Sequence, residues 1–169
     1  MLIVGLAPGL QGANRTGRPF TGDHAGVLLY QTLLDHGFAQ GHYDARPDDG
    51  LALRRVMISN AVRCVPPENK PTPAEIANCR RFLSVRIASL PRLKAIVALG
   101  RIAHDSTLTA RGHKKSAFPF RHGARHTLEP GLALFDSYHC SRYNTNTGVL
   151  TPDMFAAVFR EVRDHIGQT

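Results

Sequence analysis

The stretch Ala95–Gly100, AIVALG, decides the fold. Five consecutive apolar residues with no polar alternation are the pattern of a strand covered on both faces, as strands of a parallel sheet are. Gly100 then turns the chain into a helix over Ile102–Thr109. Working outward, Met1–Leu6 is a short apolar strand ending in glycine, and Ala25–His36 carries Val27, Leu28, Tyr30, Leu33 and Leu34 at helical spacing before Gly37 stops it. Arg55–Val62 reads as the second strand. Thr72-Pro73-Ala74-Glu75 is a capping box with proline at the first helical position, so a helix starts there and runs to Leu90. Leu132–Ser137 is the fourth strand, and a last helix begins at Thr151-Pro152. Polar loops fill 38–52 and 110–127. This alternation predicts a three-layer α/β/α fold, one domain over residues 1–169, with a central, mainly parallel four-stranded sheet.

The bulk properties bound the function. At 169 residues the chain is long enough to bury a real core. No apolar run approaches the roughly 20 residues that span a bilayer, and the N-terminus lacks the basic and apolar regions of a secretion signal. A cytoplasmic protein without a membrane partner is expected. Net charge is +8, carried by seventeen arginines against four lysines. That is the electrostatic footprint of a phosphate-rich partner, although a solubility charge or arginine-rich codon usage would look the same. Three cysteines argue against a disulfide framework.

In open α/β sheets, ligands sit beyond the carboxyl ends of the strands. Three unusual loops leave such ends: Gly5–Asp23, Arg63–Pro71 and Tyr138–Thr151. They are expected to converge on one cleft. The first, GLAPGLQGANRTGRPFTGD, holds five glycines and almost nothing apolar, the composition of a backbone that approaches something closely. It is not a phosphate-binding P-loop, because no lysine precedes Lys70. Its glycine spacing and distance from the next helix also miss the dinucleotide fingerprint.

Together with NAVRCVPPENKPTPAE and YHCSRYNTNTGVLT, that loop closely resembles the uracil-DNA glycosylase superfamily, in particular its family 5, the iron–sulfur type. The resemblance runs from Leu2 to about Gly167, with the three motifs in order. It implies a monofunctional enzyme that hydrolyses uracil from DNA in base excision repair, with DNA holding uracil or other deaminated bases as partner, and acting as a monomer. A catalytically weak nucleic-acid-binding protein on the same scaffold is the alternative.

Site residues follow from the resemblance. Gly5, Leu6, Ala7, Pro8 and Gly9 would line the base pocket with main-chain groups, and Phe20 would stack on the flipped uracil, a contact worth roughly 1–3 kcal/mol. Its other reading is a core aromatic. Asp23 matches the acid proposed as catalytic, which would stabilise the positive sugar and orient water. Asp is also among the best helix caps, and the two roles are compatible. His139 would hydrogen-bond the leaving uracil at O2. Asn69 matches an asparagine near the family's active site, with a turn residue as its other reading. Asn60 stands where family 5 commonly has alanine and family 4 has an asparagine that reads uracil, a departure at a specificity position. Ser141, Arg142, Tyr143 and Asn144 continue into the loop that the superfamily presses into the minor groove, with Arg142 or Tyr143 as wedge.

Cys64 and Cys79 match the last two of four cysteines that hold the family's [4Fe-4S] cluster. The first two normally precede the first strand, and this sequence starts inside that strand. The cluster is therefore expected to be absent or incomplete, with Cys64 and Cys79 as metal ligands only if two further N-terminal cysteines exist. Cys140 falls at a variable position and carries no assigned chemistry.

Overall fold

A computed structural model describes residues 1–167. Residues 168 and 169, which the expectation of one domain over 1–169 includes, lie outside the described residues. The elements in chain order are β1 (Leu2–Gly5), α1 (Ala13–Thr16), α2 (His24–Asp35), β2 (Ala39–Gln40), β3 (Ala52–Leu53), β4 (Met57–Asn60), α3 (Pro73–Ala88), β5 (Ala95–Leu99), α4 (Arg101–Ala110), β6 (Arg125–Glu129), β7 (Leu132–Ser137), α5 (Arg142–Asn146) and α6 (Pro152–Gly167). Short 3-10 turns lie at Pro67–Asn69 and Lys115–Ala117.

The main sheet has five strands in the order β4-β1-β5-β7-β6, and all pairs but β6–β7 are parallel. The sequence reading of four strands is corrected by β6, which begins inside the stretch read as a polar loop. Its residues, Arg-His-Thr-Leu-Glu, bury only Leu128, so it lacks the apolar run that marks the central strands. It pairs as an antiparallel edge, a position that a polar strand tolerates. The loop read over 38–52 likewise contains β2 and part of β3, a two-residue antiparallel ribbon.

Alternation along β1, β5 and β7 divides the core in two. Ile3, Val97 and Phe135 face α2 and α6, where they meet Leu29, Leu33, Phe155 and Phe159. Leu2, Val4, Ile96 and Leu134 face α3 and α4, where they meet Leu83, Ile87, Ala103 and Leu108. Burying one such side chain contributes about 1.5–3 kcal/mol, so covering both faces is what holds strands that expose nothing polar. α3 starts on the capping box read from the sequence, with Thr72 accepting from the Glu75 main chain and Glu75 accepting from Thr72. No helix is long and apolar enough to cross a membrane among the described residues.

Candidate active site

Beyond the carboxyl ends of β1, β4 and β7 lies a cleft of about 430 Å³. The three loops converge there. Leu6, Ala7, Gly9, Phe20 and Asp23 line it from the glycine loop, Asn60 and Asn69 from the end of β4, and His139, Ser141 and Arg142 from the end of β7. Pro8 of the glycine loop lines it too, as do Ala13, His24 and Ala25, which were not singled out from the sequence. Cys64, Cys79, Tyr143, Asn144 and Gly5 do not line it.

Gly5 lies behind the wall rather than in it. In the β1–β4 ladder it pairs with Asn60, and a Cβ added at Gly5 would stand 2.6 Å from Asn60 Oδ1 and 2.7 Å from Phe20 Cζ. Glycine is thus what allows the amide and the ring to close over the strand. The Oδ1 of Asn60 is buried and without a hydrogen-bond partner among the described residues. An acceptor left in that state costs about 1–3 kcal/mol unless a ligand satisfies it.

Phe20 is buried and sits in the left-handed region at φ 56°, a conformation that costs a non-glycine residue energy and persists only where the surroundings impose it. The Tyr43 hydroxyl donates to the Phe20 carbonyl at 3.1 Å, and the Tyr30 hydroxyl donates to the Pro19 carbonyl at 2.6 Å. Behind them, Arg18 donates from both terminal nitrogens to the two Asp49 carboxylate oxygens at 2.7–2.8 Å and from Nε to the Thr21 hydroxyl at 2.6 Å. Its guanidinium also lies 5.2 Å and 5.6 Å from the ring centres of Tyr30 and Tyr43. This staple pins the glycine loop to the segment around Asp49. Nothing in the sequence pairs Arg18 with an acid thirty-one residues on.

Asp23 caps α2, its Oδ1 accepting from the Gly26 main chain at 3.2 Å. Its Oδ2 lies over the glycine loop, so close that a Cβ at Gly12 would collide with it. Asp23 therefore caps α2 and is also one of the residues that line the cleft. Burial raises the carboxyl above its usual value, opposed by the Gly26 bond and by His24.

His139 faces Phe20 across the cleft, and burial pushes its imidazole down to about 4. It is neutral at pH 7. The Asn144 side chain donates to the His139 carbonyl at 2.8 Å, and the Asn144 main chain donates to the Ser141 hydroxyl at 3.3 Å. Asn144 thus ties α5 to the His139 main chain, while Tyr143 points out and is 73% exposed. His24 Nε2 meets Thr145 Oγ1 at 3.2 Å, a bridge from the start of α2 to α5.

Cys79 Sγ accepts at 3.5 Å from the main chain of Arg63, the residue before Cys64. A four-cysteine cluster needs twice that number of thiolates. Cys140, the remaining cysteine, is buried in the core with its thiol pushed up to about 12 and supplies none. The residues described do not complete such a cluster. His104, His126 and Asp136 form the one group of metal-ligating type among the described residues. Their atoms are spent on one another: His104 Nδ1 on Asp136 Oδ1 at 2.7 Å, His126 Nε2 on Asp136 Oδ2 at 3.0 Å, and His104 Nε2 on the Phe118 carbonyl at 2.8 Å.

Comparison with known proteins gives the family of the chain. A family model described as the uracil DNA glycosylase superfamily matches residues 1–163. A type-5 uracil-DNA glycosylase of Thermus thermophilus is 49% identical across 96% of this chain and 74% of its own length. One of Mycobacterium tuberculosis is 42% identical across 99% of this chain but 63% of its own length. A type-4 uracil-DNA glycosylase of Thermotoga maritima is 39% identical across 61% of this chain and 46% of its own. The chain therefore spans less than two thirds of the mycobacterial relative.

Proposed function

This chain belongs to the uracil-DNA glycosylase superfamily, and from that footing we propose that it hydrolyses the N-glycosidic bond of uracil in DNA during base excision repair. It works as a single domain, a cytoplasmic monomer, on DNA holding uracil or another deaminated base. The observation that carries the reading is the buried, unpartnered Oδ1 of Asn60 in the same cleft as Phe20, Asp23 and His139.

Phe20 stacks on the extruded base. Asn60 accepts from uracil N3–H and donates to O4, the pairing that cytosine reverses. As the C1′–N1 bond breaks, the bonding electrons leave with the uracil, and His139, neutral and therefore with one N–H to give, disperses charge at O2. Asp23 stabilises the positive sugar and takes a proton from the water that attacks C1′. Its raised pKa makes it a stronger base than an exposed carboxylate. Asn69 borders the same cleft and helps position that water. Ser141 and Arg142 hold the DNA backbone. The residues lining the cleft include no lysine, which supports hydrolysis without a Schiff base. Cys64 and Cys79 would hold an iron–sulfur cluster only with two further cysteines, and none of these steps needs one.

Single-turnover incubation with a uracil-containing duplex tests the reading. Free uracil should appear, with an abasic strand that stays intact until alkali is added. Strand cleavage without alkali would point to a lyase, and tight binding without uracil release to a binding protein on this scaffold.

A further inference from the structure

Six large hydrophobic side chains are exposed among the described residues, and two of them adjoin the cleft. Leu10, 62% exposed, sits between Gly9 and Ala13, which line the cleft. Tyr143, 73% exposed, follows Arg142, which lines it from the other loop. We propose that Leu10 is a second apolar wedge, entering the DNA from the glycine-loop side while Tyr143 enters from the α5 side. The proposal rests on the uracil-DNA reading above.

Both side chains are presented on ordered backbone. The Gly9 carbonyl accepts from Gly12 and Asn14, each at 3.2 Å, which closes a turn beneath Leu10 and leads directly into α1. Tyr143 is the second residue of α5, which Ser141 caps, and its carbonyl accepts from Thr147 at 3.0 Å. An apolar side chain held out into water by a tight turn gains nothing in the free protein. It gains when it replaces the stacking that a duplex loses as one nucleotide is extruded. Extrusion leaves two apolar surfaces bare, the neighbouring base pair and the widowed partner base, and one wedge covers only one of them. Arg15 in α1 and Arg142 in α5 put a cation on the same loop as each wedge, available to the flanking phosphates.

The Leu10→Ala variant tests this without touching the cleft lining. With 2-aminopurine beside an abasic-site analogue in a duplex, fluorescence should rise when the wild type binds and should rise far less with Leu10→Ala. Single-turnover excision from a uracil duplex should fall at least tenfold in the variant, and Leu10→Met should restore it. Excision from an unpaired uracil in a bubble of the same sequence should stay within twofold. Equal losses on duplex and bubble, or an unchanged unstacking signal in Leu10→Ala, would overturn the wedge. Failure of the wild type to release uracil from either substrate while still unstacking the probe would overturn the excision reading and leave the wedge standing.

Discussion

The rings of Phe20 and His139 stand 6.0 Å apart at their centres with a 34° tilt between planes. Both rings line the same cleft, so in the proposed reading a base stacked on Phe20 would turn its edge to His139. An edge contact is what a hydrogen bond to a ring carbonyl requires. Burial holds that imidazole neutral.

His139→Gln should lower single-turnover excision roughly a hundredfold or more, as loss of one aimed donor does elsewhere. It should also change the pH dependence of stability. The folded value is about 4 against an ordinary 6.5, so between those values the unfolded chain binds more protons. Stability is then full above pH 6.5 and falls as pH drops towards 4. Denaturant midpoints measured across this window should fall less steeply in the variant than in the wild type.

Asp23→Asn separates cap from catalyst. Asparagine caps as well as aspartate, and it removes a carboxylate whose charged form burial disfavours. The variant should be as stable as the wild type at neutral pH, or more so, yet excise uracil about a hundredfold or more slowly. Equal rates in a folded variant would reduce Asp23 to a cap.

Asn60 and Gly5 predict different losses. Asn60→Ala should lower uracil release relative to hypoxanthine, because only the reading amide is gone. Gly5→Ala pushes against both Asn60 and Phe20, so release of both bases should collapse together. Paired assays on the two lesions decide it; an unchanged ratio in Asn60→Ala means that the amide does not read the base.

The Arg18–Asp49 pair is a stability prediction. The Asp49 side chain is buried and Arg18 is half-buried, so removing one partner leaves charge-assisted hydrogen bonds unmade at a cost of about 1.5–3 kcal/mol. The two Arg18 bonds hold the Asp49 carboxyl well below its usual 3.8. Its contribution is therefore present above that value and lost as pH falls below it. Asp49→Asn should lower the thermal midpoint at pH 7 and lose less than the wild type on acidification.

Much of this was legible from residues alone. AIVAL and LALFDS are buried throughout and bound β5 and β7 at the residues read from the sequence. The capping box at Thr72 marked α3 because its two hydrogen bonds are local. Eleven of the expected site residues meet in one cleft, since each loop follows a strand end that the sheet aligns. What escaped was non-local or short. β6 is polar and is held by its neighbour rather than by its own pattern. The bond from the Asn144 side chain to the His139 carbonyl depends on the five-residue α5, and no spacing reveals so brief a helix. The Arg18–Asp49 staple depends on a loop path that only the fold sets.

The irregular edge of the sheet has a colloidal consequence. A polar outer strand presents unpaired main-chain groups, and a straight one invites a neighbour's strand to add to it. Here Arg125 and Glu129 sit on that strand, and its register with β7 slips between Thr127 and Glu129. A foreign strand docking there would meet charge and a kink. At the opposite margin β4 offers only four residues. Neither margin favours growth of the sheet from one molecule to the next, so the protein resists strand-to-strand aggregation even when crowded along a polyanion.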